Sequence, residues 1–331
     1  MMILNQIYKL AIELGIKNDL RGSAMVKKKL EKVKKAYYEL TEAKKEEFDE
    51  ERLVNPFSDT RIFGNPNKQI KKVMAGIDID VAELLVAREL GNIDLIIAHH
   101  PIGLALAGLH EVMDLQVELM AKYGVPINVA ENLTQIRMSE VSRGISPVNH
   151  NKVLDAARNL GMDVMCVHTP SDNMVANFLD KEIKKNLKKI ETVGDLLNLL
   201  KKIPEYQEAI RQKAGPRLFC GKPERYAGKI ALTEITGGTE GNKEIYSHIA
   251  QAGIGTIVGM HMKEENREEA EKAHLNILIA GHMSSDSIGM NLFLDELVKR
   301  GIEVVPCSGL IRHARVKKAV ARKKTAKRGK K

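Results

Sequence analysis

From Lys71 onward, short apolar runs alternate with stretches of helical periodicity. That alternation restricts the chain to a layered α/β fold with largely parallel strands. Residues 72–79 (KVMAGIDI) read as a strand, 81–90 as a helix and 94–98 as the next strand. Further strands are expected at 125–129, 163–167, 229–235, 254–258, 275–280 and 303–305, with helices at 131–143, 152–160, 173–186, 243–252 and 287–300. Between 190 and 214 the pattern is helical without a strand, and Thr192 caps the run VGDLLNLLKK. The first 55 residues are charged, with Leu30, Val33, Tyr37 and Leu40 at helical spacing, and Asn55-Pro56 opens a turn-rich linker. The expected organisation is a helical extension and linker over 1–68, an α/β unit over 69–189 and 276–311, a second α/β unit inserted at 190–275, and a tail over 312–331.

Hydrophobic residues make up 44% of the 331, enough for a sizeable core. No apolar stretch approaches the roughly 20 residues that span a bilayer, and the start lacks a basic leader with a cleavage site, so the chain reads as soluble and unprocessed. Cys166, Cys220 and Cys307 are odd in number and widely separated, which argues against a disulfide framework and for a reducing cytoplasm. The net charge of +9 is an end effect. Residues 312–331 hold eleven Lys and Arg and no acid, leaving the body at −2. Such a tail is expected to be disordered, and to bind nucleic acid weakly by counterion release or simply to aid solubility. With 4% aromatics and no Trp, a base-stacking platform is not expected.

Three places combine a strand exit with metal-competent side chains: His99-His100-Pro101, His168-Thr-Pro-Ser-Asp172, and Gly281-His282-Met-Ser-Ser-Asp286. In a parallel sheet every strand exits at the same edge, so clusters far apart in sequence can converge there. Adjacent strand residues point to opposite faces, and Pro101 supplies the irregularity that lets both histidines reach one site. Asp172 also reads as a helix cap and Asp286 as an ordinary acid at a helix start. Several imidazoles and carboxylates gathered without a cation would repel or go unsatisfied, and one or two divalent ions relieve this. Mixed His and carboxylate ligands suit Zn, Fe, Mn, Ni or Co. The loop Thr236-Gly-Gly-Thr-Glu-Gly241, between a strand and a helix, reads as a glycine turn or an anion cradle.

The ordered motifs HHP, HTPxD and GHxxSD resemble those of the Nif-three-like family, also called the type 2 GTP cyclohydrolase I family, over residues 73–306. The resemblance implies two-domain α/β subunits assembled as a homohexamer. It also implies a dinuclear site of two divalent ions held by His99, His100, Asp172, His282 and Asp286. Family members carry Glu where this chain has Asp286, and an acid in a segment replaced here by Val258-Gly-Met260-His261. The stretch 103–162 is long and brings His110, Glu111 and His150 into consideration, the first two within a faint zinc-protease pattern.

The expected function is a metal-dependent hydrolase acting on a small-molecule substrate, a nucleotide or phosphorylated compound among the candidates, with His168, at the rim, either supporting the ligands or acting as general acid and base. The alternative is a non-catalytic metal-binding adaptor that contacts nucleic acid or protein partners. Truncation at Leu310 is expected to spare hydrolysis under the first reading and abolish partner binding under the second.

Overall fold

A computed structural model describes residues 2–316. Its strands are β1 (Met2–Ile3), β2 (Thr60–Phe63), β3 (Gln69–Ile70), β4 (Lys72–Gly76), β5 (Leu95–Ala98), β6 (Val164–Val167), β7 (Arg217–Cys220), β8 (Lys229–Glu234), β9 (Ile254–Gly259), β10 (Asn276–Ile279) and β11 (Glu303–Pro306). They form a five-stranded sheet in the order β11-β4-β5-β6-β2, a four-stranded sheet in the order β7-β10-β9-β8, and a small β1-β3 ladder. Within the two main sheets all pairings are parallel except those of the edge strands β2 and β7. The fold is therefore α/β with largely parallel sheets, as the alternating pattern implied.

Both faces of each sheet are covered, which is why the strands read as continuous apolar runs. In the first sheet Val73, Leu95, Ile97 and Val167 face the helices Leu4–Asn18 and His282–Lys299. Met74, Ile96, Ala98 and Cys166 face the opposite core, shared with the helices Val81–Leu90 and Lys152–Asn159. Two helices form the layer between the sheets. The helix Thr169–Asn186 places Met174 in the first core and Val175 and Leu179 in that of the second sheet, and His282–Lys299 divides Phe293 and Ile288 in the same way.

Several boundaries differ from the expectation. The segment 1–68 is not an appended extension: Leu4, Ile7, Tyr8 and Ala11 are fully or nearly fully buried in the first core, and the expected linker supplies β2. Residues 125–129 are not a strand. Pro126 sits at the N-cap of the helix Ile127–Ile145, where its fixed φ suits a helix start and its missing N–H would break a ladder. The short edge strand β7 was not among the expected strands. Asn276–Ile279, expected to return to the first unit, pairs with β9 and β7 in the second sheet, because its consecutive residues Ile277 and Leu278 point to opposite faces and fill the two cores there.

The basic tail begins later than expected. Arg312 reaches Asp295 at 2.5 Å, and Arg315 grips the buried Glu205 at 2.6 and 2.8 Å. The rest of the tail, 317–331, lies outside the described residues.

Candidate metal centre

The two central helices bring the three motifs together. His99 and His100 follow β5, and their backbone N–H groups donate to the carbonyls of Gly76, the last residue of β4, and Ile77, the next. His168 precedes the helix Thr169–Asn186, and Asp172 lies in its first turn. His282 opens the helix His282–Lys299, with Asp286 one turn on. Convergence thus occurs across two sheets: β5 and β6 exit in the first, β10 in the second. A single parallel sheet edge was the expected reason, and the layer of helices shared by both sheets is the actual one.

At the centre His99 Nε2 lies 3.4 Å from Asp172 Oδ1 and 3.4 Å from Asp286 Oδ1. Asp286 Oδ2 is 3.5 Å from both His100 Nε2 and His282 Nε2. Three sets of ligand atoms each lie within 4.8 Å of one another: His99, His100 and His168; His100, His282 and Asp286; His99, Asp172 and Asp286. His99, Asp172 and Asp286 are fully buried, whereas the side chains of His100 and His282 are 25% and 37% exposed and mark the open side.

Whether these residues fit a cation is answered by their hydrogen bonds. His99 Nε2, Asp172 Oδ1 and both Asp286 carboxylate oxygens are buried without a hydrogen-bond partner. Such orphaned groups are costly unless an ion satisfies them. Three imidazoles also donate through Nδ1 to an oxygen: His99 to the Val167 carbonyl at 3.1 Å, His100 to Asp78 at 2.6 Å and His168 to Asp59 at 2.8 Å. In the neutral ring each bond sets the tautomer that leaves the Nε2 lone pair facing the centre, as metal-ligating histidines require. A carboxylate acting only as a cap or helix-start acid would accept backbone N–H bonds, and neither Asp286 oxygen accepts any.

Charge in the cluster is divided unequally. Burial and the neighbouring Asp286 and Asp59 charges push the Asp172 carboxyl well above its usual range. Burial also acts against ionising Asp286, but His99, His100 and His282 around it hold its pKa well below that range. Burial lowers His99 and takes His282 down to about 4, leaving both neutral as a ligand must be. For His100, burial is outweighed by the Asp286 and Asp78 carboxylates, which raise it to about 9, so a proton occupies a place that a cation would take.

His168 was expected at the rim and is instead buried, its Nε2 3.8 Å from Asp172, among the metal-competent groups. The rim carries His261, whose ring centroid is 4.7 Å from that of His282 and whose Nδ1 donates to Glu240 at 2.8 Å. Glu240 belongs to the loop 236–241, which closes over Asp172 with Gly237 and Gly238 at positive φ. His110, Glu111 and His150 belong to none of the metal-competent groups among the described residues, and Glu111 pairs with Arg52 at 3.3 Å.

Sequence reasoning missed Asp59 and Asp78, and singled out the loop that carries Glu240 without giving that acid a role. Asp78 had a usable signal, because it follows β4 as the other acids follow their strands. Asp59 had none, since it lies in a turn beside an edge strand whose pairing is not local.

An α/β protein with a buried His and Asp cluster between two sheets is thus the class that fold and site define. It is similar to the solved structure of an NIF3 superfamily protein from Sphaerobacter thermophilus, with 31% identity over 76% of this chain and 92% of that one and a TM-score of 0.70. Reduced HcgD from Methanocaldococcus jannaschii aligns at 15% identity over 75% of this chain and 87% of that one, TM-score 0.47. A Bacillus cereus protein related to NIF3 aligns at 12% over 75% and 91%, TM-score 0.39. No protein-family model matches the sequence, and no curated protein matches it significantly. The chain belongs to the NIF3 superfamily.

Proposed function

We propose that this protein is a metal-dependent hydrolase that holds two divalent ions and acts on a phosphorylated or nucleotide-like small molecule. The observation that carries the reading is the set of four orphaned buried atoms on His99, Asp172 and Asp286, facing imidazoles whose tautomers are already set. His99, Asp172 and Asp286 would hold the buried side of the ion pair, and His100 and His282 the open side. Bound divalent ions supply Lewis-acid polarisation of a substrate oxygen and acidify water at neutral pH. His168, held through Nδ1 by Asp59, whose carboxylate also accepts from the Thr169 hydroxyl at 2.6 Å, would add a further imidazole beside His99 and His100. His261, held through Nδ1 by Glu240, is placed to move a proton at Nε2 on the open side.

Metal analysis of freshly purified protein tests the reading, followed by a screen of phosphoesters and nucleotides. Two divalent ions per chain and metal-dependent turnover are expected, with His99→Ala losing both while remaining folded. Full metal occupancy and activity in His99→Ala would overturn it.

A further inference from the structure

Beside the metal centre, the start of β7 and the ends of β9 and β10 line an open pocket of about 250 Å³. Arg217 and Phe219 stand on one side, Met260 and Met262 on another, and His261 and His282 form the wall toward the candidate ions. The strand β7 is antiparallel to β10, with Arg217 opposite Ile279, so its first residues lie at the edge where the parallel strands end. Arg217 and Phe219 are two apart and project to the same face. The Arg217 guanidinium sits over the Phe219 ring at 5.3 Å, is exposed, and has no carboxylate partner among the described residues. The floor is closed by a tight approach. A Cβ at Gly281, whose φ is +106°, would stand 2.6 Å from the Ala214 carbonyl oxygen.

We propose that this cavity is the substrate subsite, and that it takes a single aromatic or heteroaromatic ring bearing an anionic group. The proposal rests on the metal-centre reading for what happens to the substrate, but the subsite itself is built from other residues. An unpaired planar cation offers two parallel donors to a phosphate or carboxylate. Two thioethers and the edge of a phenyl ring offer a polarisable apolar wall suited to an aromatic face. A volume just under the roughly 300 Å³ at which pockets for drug-sized ligands begin admits one ring and its charged group, with the remainder of a larger substrate lying over His261 toward His282.

The test uses phenyl phosphate as probe, with phenol and inorganic phosphate as its separate halves. Binding is titrated by ligand-observed NMR on the full chain, and metal content is measured in every sample. Phenyl phosphate is expected to bind the wild-type protein more tightly than either half. Arg217→Ala is expected to weaken it at least tenfold, Arg217→Lys less, and Met260→Ala severalfold, all with unchanged metal content. Equal affinity in wild type and Arg217→Ala would overturn the subsite, as would phenyl phosphate binding no tighter than inorganic phosphate. A wild-type protein devoid of metal whose phenyl phosphate affinity still falls in Arg217→Ala would support the subsite while overturning the metal reading.

Discussion

Gly289 packs directly on the backbone of Ser171: a Cβ at position 289 would stand 2.3 Å from the Ser171 carbonyl oxygen and 2.6 Å from its hydroxyl. These residues belong to the two helices that carry Asp286 and Asp172. Their close approach is what allows both carboxylates to reach His99.

Gly289→Ala is therefore expected to destabilise the protein by roughly 1–3 kcal/mol, the usual cost of overpacking, although alanine in a helix normally gains up to about 1 kcal/mol. Gly144→Ala, in the helix Ile127–Ile145 where a Cβ meets nothing within 4 Å, is expected to stabilise. Urea unfolding of both variants checks the opposite signs, and metal content should fall in Gly289→Ala alone.

Asp172 gives a second reversal of sign. Its folded pKa is raised, so the stability linked to its protonation is present at acid pH and lost as pH rises through the folded value. In chelated protein at neutral pH, Asp172→Asn removes that penalty and should raise the melting temperature. The wild type should instead be stabilised by added metal, by about 2.7 kcal/mol at a hundredfold excess over Kd. Calorimetry with and without chelator separates the two; a metal-induced gain retained in Asp172→Asn would exclude Asp172 as a ligand.

Asp59 and Asp78 hold His168 and His100 without facing the centre themselves. Replacing either by Ala is expected to weaken metal affinity by about 10- to 100-fold, the usual effect of losing such an orienting partner. Competition with a chromogenic chelator measures this. Unchanged affinity in both variants would mean the imidazoles need no orientation.

Glu234 sets a pH dependence of its own. Burial, together with the Glu240 charge and against the pull of His261, raises it to about 7, and Tyr246 donates to it at 3.2 Å. The folded chain therefore keeps a proton that the unfolded chain releases near pH 4.3. The corresponding stability is complete below that value and is lost as pH rises through 7. Between pH 5 and 8 the wild type should lose roughly 2–3 kcal/mol relative to Glu234→Gln. Parallel slopes for the two proteins in pH-dependent unfolding would show that Glu234 titrates normally.

Arg315 leaves the Glu205 carboxylate buried and uncompensated when removed, apart from the Asn291 amide at 2.8 Å. Breaking a buried pair costs about 3–5 kcal/mol, and partial exposure of Arg315 at 23% reduces the expectation for Arg315→Ala to about 2–3 kcal/mol. A chain cut at Leu310 loses Arg312 as well, so a binding assay on it mixes destabilisation with loss of charge. Ending the chain at Val316 keeps both ion pairs and tests the remaining basic residues alone.

Much of the fold was legible because parallel strands buried on both faces, such as 95–98 and 164–167, leave unmistakable apolar runs. The edge strands 60–63 and 217–220 were not, since each is only partly buried and gains its meaning from an antiparallel partner over fifty residues away. The burial of the first helix was hidden for a related reason: its apolar stripe of Leu4, Ile7, Ala11 and Ile12 is ordinary until a sheet stands beneath it.

By itself the sequence determined which side chains stand at the strand exits, because the period of strand and helix and the positions of Pro101 and Pro170 are local properties of the chain. It therefore named His99, His100, His168, Asp172, His282 and Asp286 as one group. Only the tertiary structure decided how they meet. Two sheets share a pair of helices, Gly289 lets those helices touch, and Asp59 and Asp78 arrive from outside the motifs to turn the imidazoles inward. Those are contacts between distant segments, and their energies exist only once the core has packed.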